Sequence, residues 1–579
     1  MSYLINNQYN MAEYKIGKVI NVSSDLIDIS LYNFSDSDET VYGVPDNMNV
    51  IIDTPIGPTP VLIGQPGTFV LVAIPNGTLL SMITDISMKE VSTLNGEIKK
   101  AENSNEYLIQ SPLRIISVIP VGTIDTSGKF ERGTDLLPTV NNDVFAVLPD
   151  VIDKVYESFA EGNFSIGELS LLKDQEAKIN LDSFLSRHAA VLGQTGGGKS
   201  WTVASLLQSI STFPKSTVVL FDLHGEYKTA FGDYAEYINA GDLEFPYWLM
   251  KSDELLGLMV DRAESAAPNQ IAKFKELLQA AKENHAENQT LDIPKITIDT
   301  PVHFDFTNII DEFRRLDVQM VPGATAGRLI KGPLNGDFTR LLMRIDSRLN
   351  DKRYDLIFNP VTYNTSASME GLFRKILGEE SNPKKIVVID LSSIPFDVRN
   401  SIISLILRCM FDFAYWYKKV NLKAYPISVF CDEAHIYFND KDPNSEAARL
   451  SAERIAKEGR KYGISLTVIS QRPREVSATI LSQCNSFLCM RISNPEDQSY
   501  VKSLLPDSIR GIVSMFSNLR RGECTLLGDS VIMPTRIKIR KPDPTPNSDD
   551  TSFYKEWNSP YEKIEFNPVL NAWRKQQVE

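Results

Sequence analysis

The 579-residue chain is poor in the side chains that staple folds or hold metals, with five cysteines and five histidines. Cys409, Cys431, Cys484, Cys489 and Cys524 form no C-x-x-C pair, and most sit in apolar runs. This excludes a disulfide framework and predicts reduced core thiols, as in a cytoplasmic protein. The histidines are scattered, with no spacing of the zinc type. No window of about 18 residues is both apolar and uncharged, so no membrane-spanning helix is expected. The nearest candidate, "SIISLILRCMFDFAYW", holds Arg408 and Asp412 and reads as a buried helix. No basic start leads into an apolar run, so no signal peptide is expected. A positive surplus is missing too: the net charge is -14, which argues against a general nucleic-acid coat. Residues 1–150 carry 18 acidic and 8 basic side chains, a balance of -10, which leaves -4 for the rest. That end reads as a face for protein contacts or as a solvated acidic surface, and as a poor DNA face.

What is present is enough chain for two to four domains. Residues 12 to about 150 hold short β-branched runs broken by Gly, Pro and Asn, such as "YKIGKVINVSSDLIDISLY" and "YLIQSPLRIISVIPVGTI". This pattern predicts a small N-terminal β-barrel over 1–150. From about 165 the pattern changes to apolar strands alternating with helices ("AAVLG", "TVVLFD", "KIVVID", "ISVFCDE", "SLTVISQ"). Continuous apolar strands are buried on both faces, which predicts an α/β domain with a parallel sheet. Its first part is assigned to 151–250, a helical insertion to 251–384 and its second part to 385–540. Residues 541–579 read as a tail that packs on the core or a neighbour through Trp557 and Trp573.

The chemistry begins at "RHAAVLGQTGGGKSW", Arg187 to Trp201. Gly193, Gln194, Thr195, Gly196, Gly197, Gly198, Lys199 and Ser200 match G-x-x-x-x-G-K-S/T, with a strand before and a helix after. Such a loop cradles phosphates with backbone N–H groups and a helix N-terminus. Lys199 is expected on the β- and γ-phosphates and Ser200 on Mg²⁺. Trp201 is bulky for a first helical turn, and the motif does not account for it.

A second strand, "ISVFCDEAH", ends in Asp432 and Glu433. In phosphate-loop ATPases the first such acid holds Mg²⁺ and the second activates the attacking water. An N-K-x-D base-reading motif is missing, which favours ATP over GTP. Gln471 ends the strand "SLTVISQ", where a polar group could sense the γ-phosphate. Arg460, in "SAERIAKEGRKYG", lies near a helix end placed at Gly463. It reads as a surface charge or as an arginine finger to a neighbouring subunit's nucleotide. Arg187 is equally ambiguous.

"RHAAVLGQTGGGKS", "FDLHGEY", "VVIDLSSIPFDVRNSIISLILRCMFD", "VFCDEAH" and "AKEGRKYGISLTVISQRP" follow one another as in the HerA ATPases, which this chain resembles over most of 165–540. HerA belongs to the HerA/FtsK group of DNA translocases. The resemblance implies a RecA-like core preceded by a HAS-type barrel, a homo-hexameric ring, ATP with Mg²⁺, and duplex DNA in the channel. It implies that Lys199, Ser200, Asp432, Glu433 and Gln471 act in cis and that Arg460 is the trans finger. Arg187 becomes a second contact across the interface, and Glu226 a polar group near the γ-phosphate. Gly197 stands where many relatives have serine. The resemblance also implies a protein partner on the barrel, a nuclease or a sirtuin-like NAD-degrading effector, in bacteria often for anti-phage defence. Channel cations are sought in "FRRLD", "GRLIKG" and "RLLMRIDSRLNDKR", which also read as ordinary solvated helix faces. Two rivals stand beside translocation: an ATP-set scaffold that activates an effector, and a pump of the export or conjugation type.

Overall fold

The computed structural model describes residues 15–89 and 113–575, apart from breaks of one to four residues. The start of the run expected from Tyr107 lies outside the described residues. The chain divides into two compact units, residues 1–206 with 467–541 and residues 207–466 with 542–579.

The first unit opens with a closed barrel of six antiparallel strands. Lys15–Val22 pairs with Ile27–Leu31 and with Asp143–Ala146, which pairs with Phe69–Ile74. Phe69–Ile74 pairs with Gly77–Lys89, which pairs with Leu113–Asp125, and that strand returns to Ile27–Leu31. Closure follows from the β-branched alternation: Val19, Ile29, Val72, Ile83, Val118 and Val144 are fully buried inside, and no edge is left unpaired.

The same unit holds the loop-bearing strand Ala189–Leu192. It runs parallel to Ser486–Cys489 on one side and to residues 467–470 of Ile464–Ser470 on the other. All four of its residues are buried, as expected for an interior parallel strand. The hairpin Glu523–Gly528 and Thr535–Ile539 extends the sheet antiparallel, followed by Phe164–Leu169 and Glu176–Ile179. The barrel is tied to this hairpin, with Arg132 Nη1 donating to the Gly528 carbonyl at 3.0 Å.

The second unit is a parallel sheet in the order Ile427–Cys431, Val218–Asp222, Ile386–Asp390, Ala235–Asn239. Three of these strands end in or just before an acid: Asp222, Asp390 and Asp432. Between 252 and 376 lie the helices Ser252–Met259, Ala267–Asn284, Phe306–Asp317, Thr339–Leu349 and Met369–Ile376. A short hairpin, Met320–Pro322 with Leu329–Lys331, interrupts them. The apolar run around Arg408 is the 26-residue helix Phe396–Asn421. Arg408 is tolerated inside because its guanidinium reaches Glu254 at 2.7 Å, Asp412 at 3.1 Å and the Leu249 carbonyl at 2.6 Å.

No helix among the described residues is long and apolar enough to cross a membrane. All five cysteines are buried and unpaired. Burial pushes the thiols up, to about 11 at Cys409 and about 12 at Cys484 and Cys524. In the tail, residues 543–547 make the contacts. Gln208 Nε2 donates to the Pro544 carbonyl, Thr229 Oγ1 to that of Thr545, and the Asn547 N–H to that of Glu226. Trp557 and Trp573, expected to anchor the tail, are 80% and 74% exposed.

Candidate nucleotide site

The loop in the first unit is shaped by its glycines unequally. Gly196 and Gly198 have φ of +74° and +100°, a left-handed region costly for other residues. Gly197 does not share it. Its backbone is closed by Gly197 N–H donating to Gln194 O at 3.1 Å and by Gly522 N–H donating to Gly197 O at 3.3 Å. Gly193 N–H donates to Ser470 O, Gln194 N–H to Arg491 O, and Ser493 N–H to Gln194 Oε1. Among the described residues, the N–H groups of Gly196 and Gly198 make no such bond.

Lys199 opens the helix Lys199–Ile210 and is only 8% exposed. It has no ion pair among the described residues. A buried ammonium without a counter-charge is costly, so an anion at the loop is the natural complement. Gln471, at the end of its strand, accepts a hydrogen bond from Thr195 Oγ1 and is thereby coupled to the loop. Trp201 gains a physical account: the Arg521 guanidinium lies 5.5 Å and Lys541 Nζ 5.6 Å from its ring centroid. It is an aromatic platform that gathers cations beside the helix start.

Arg187 is engaged within its own chain. Nη1 donates to Asp529 Oδ2 at 2.6 Å, and Arg132 approaches the same carboxylate at 3.8 Å. Burial pushes the Asp529 carboxyl up, but the hydrogen bonds from Asn485 and Arg187 outweigh this and hold it below the usual range. The turn at 528–529 therefore links the barrel strand, through Arg132, to the residue that precedes the loop strand.

In the second unit, Asp432 follows the buried strand Ile427–Cys431 and is 3% exposed. Its carboxylate accepts from the Glu433 N–H at 3.0 Å, and its carbonyl accepts from Tyr437 Oη at 2.6 Å. Glu433 sits at φ +47°, ψ +41°. For a residue with a Cβ that conformation costs about 1–3 kcal/mol, a cost found mostly at working sites. Its Oε2 lies 3.2 Å from His435 Nδ1.

The turn around Glu226 is organised by a residue that motif matching passed over. Asp222 Oδ1 accepts from the N–H groups of His224, Gly225 and Glu226, and Oδ2 from that of Tyr227. Burial pushes its carboxyl up against the pull of these donors. The signal was available as the acid ending "TVVLFD". Arg460 lies not on the helix, which ends at Glu458, but on the 3-10 turn Gly459–Lys461 that precedes Gly463. Gly459 is required there, since a Cβ would come within 2.5 Å of the Ile464 carbonyl. Arg460 is exposed and has no ion pair among the described residues.

The three basic stretches separate on inspection. Arg314 pairs with Asp311 and Asp346, Arg315 with Glu312, Arg344 with Glu264 and Arg353 with Asp351. Arg328, just before the exposed hairpin strand Leu329–Lys331, and Lys331, its last residue, carry no ion pair among the described residues.

A glycine-built phosphate loop, a buried lysine with no ion pair among the described residues and a strand ending in two acids define the class, a P-loop ATPase with an N-terminal β-barrel. Residues 164–410 match the family described as "Helicase HerA, central domain". The DNA double-strand break repair helicase HerA of Sulfurisphaera tokodaii is 26% identical over 498 residues, covering 85% of this chain and 90% of that one. A probable helicase of Methanocaldococcus jannaschii is 25% identical over 480 residues, covering 80% and 83%. Among solved structures, the plasmid coupling protein TrwB in complex with an ATP analogue is similar at a TM-score of 0.41 and 14% identity, over 67% of this chain and 92% of that one. Over most of its length the chain is similar to HerA helicases.

Proposed function

We propose that this protein is an ATP-driven, ring-forming translocase or helicase on duplex DNA. The observation that carries the reading is Lys199, buried at 8% exposure and, among the described residues, without a counter-charge, beside two glycine N–H groups that have no backbone partner there. ATP supplies that counter-charge as a triphosphate, with Mg²⁺ on Ser200 and Asp432. Glu433 would orient and deprotonate the attacking water. Gln471, coupled to the loop through Thr195, would report the γ-phosphate.

A homo-hexameric ring is favoured by Arg460. It is exposed and has no ion pair among the described residues, on a turn held by a glycine, as a cation meant for another subunit would be. Arg187 is the weaker finger, because leaving Asp529 would break a 2.6 Å ion pair. The exposed faces of Trp557 and Trp573 favour a tail that packs on a neighbouring copy. Arg328 and Lys331, on the exposed hairpin, are the cations we assign to DNA, since Arg314, Arg315, Arg344 and Arg353 nearby are already paired. The acidic barrel is the docking face for an effector, a nuclease or NAD-degrading enzyme, in defence against phage.

ATPase measurements with and without duplex DNA test this. Wild type should be DNA-stimulated, and Lys199→Ala, Glu433→Gln and Arg460→Ala should each lose turnover, the last by about 10³-fold or more. Mixing Arg460→Ala with Glu433→Gln subunits should restore activity, because some sites then combine an intact base with an intact finger. No restoration would place Arg460 in cis. Turnover stimulated by a partner and indifferent to DNA would favour the scaffold.

A further inference from the structure

Two of the five histidines, His285 and His303, meet in the second unit although 18 residues apart. His285 lies between the helices Ala267–Asn284 and Ala286–Gln289, and its Nε2 faces His303 Nδ1 at 3.2 Å. The rings are nearly perpendicular, at 72°. One ligand atom from each of His285, Glu287 and His303 lies within 4.8 Å of the other two. The expectation of no zinc-type site rested on sequence spacing, and the fold-back of this segment defeats that test.

We infer that His285, Glu287 and His303 form a binding site for one divalent transition-metal ion of the Zn²⁺ class. Zinc–nitrogen bonds of about 2.0–2.1 Å at a tetrahedral angle place two nitrogens about 3.3 Å apart, close to the separation found. Glu287 completes the set by a side-chain rotation that closes its longer distance, and solvent fills the fourth position. Two imidazoles and one carboxylate suit Zn²⁺ far better than Mg²⁺, which prefers oxygen.

The surroundings prepare His303 as a ligand. Tyr247 Oη donates its proton to the Phe304 carbonyl at 2.6 Å and lies 3.5 Å from His303 Nε2. It therefore faces that nitrogen as an acceptor, which favours the proton on Nε2 and a lone pair on Nδ1. The backbone of His303 is clamped on both sides. Its N–H donates to Ser366 Oγ at 2.8 Å, and its carbonyl accepts from Asn288 Nδ2 at 2.6 Å. Ser366 and Ala367 also line a cavity of about 1360 Å³. Glu287 accepts from the Ala367 N–H at 3.2 Å, so the wall of that cavity positions the carboxylate.

The test uses the full chain, stripped with a chelator, then dialysed against excess Mg²⁺ with stoichiometric ZnCl₂. After gel filtration, mass spectrometry should find about one zinc per chain in wild type. His303→Asn and His285→Gln should lose it, and Glu287→Gln should bind at least about tenfold more weakly. Because the histidine variants could misfold, Glu287→Gln is also compared by thermal melting. Zn²⁺ should raise the wild-type Tm and leave that of Glu287→Gln nearly unmoved. Wild type that retains no zinc against Mg²⁺, or a Glu287→Gln that retains and responds to it as wild type does, would overturn the assignment.

Discussion

Gly197 and Gly198 are adjacent and chemically identical, yet the loop uses them differently. Gly198 must hold φ at +100°, and Gly197 need not adopt a left-handed conformation. Gly198→Ala should therefore abolish nucleotide binding, while Gly197→Ser keeps turnover within about a few-fold of wild type. Nucleotide titration with steady-state ATPase checks both. The loop, Lys199 and the Asp432–Glu433 pair were legible in the sequence because their chemistry is local: a short motif sets both the residue types and the backbone. Asp222 was not singled out, because its importance lies in four backbone donors that only a folded turn presents. Arg187 was ambiguous for the same reason, since its partner Asp529 is 342 residues away. The Asp529 carboxyl is held low in the fold, so its contribution is present above the ordinary aspartate range and is lost as pH falls through its folded value. Acid unfolding followed by circular dichroism should accordingly show a shallower loss below about pH 4 in Asp529→Asn than in wild type.

The helix Phe396–Asn421 illustrates what periodicity conveys and where it stops. Its apolar run announced a buried helix, and Arg408 inside it excluded a membrane span. The sequence could not say which acid beyond Asp412 makes that burial tolerable, because Glu254 comes from a separate helix. Arg408→Met should destabilise the protein by about 3–5 kcal/mol, since it leaves Glu254 without its counter-charge. A urea titration measures this, and a double variant that also replaces Glu254 with Gln should recover part of the loss. The basic helices were ambiguous in the opposite way: they read as DNA contacts or as solvated faces, and Arg314, Arg315 and Arg344 are engaged by neighbouring acids. The barrel strands were easier, because β-branched alternation broken by turn residues has few other solutions.

The chain as a whole combines a β-barrel, an α/β core that carries the phosphate loop, and a group of helices with a hairpin whose Arg328 and Lys331 make no ion pair among the described residues. The similarity to HerA helicases extends over most of these parts, and the motif set from Arg187 to Gln471 made it legible before any fold was known. The proposed ring was less legible, because Arg460 and the tail tryptophans are exposed and would act only on surfaces of a neighbouring copy. The central claim is that hydrolysis moves the protein along duplex DNA. Displacement of a triplex-forming strand from a duplex measures that movement directly. Wild type with ATP and Mg²⁺ should displace the strand, and it should fail with a non-hydrolysable analogue or with Glu433→Gln. A wild-type protein that hydrolyses ATP at its full DNA-stimulated rate while the third strand stays in place would contradict the account.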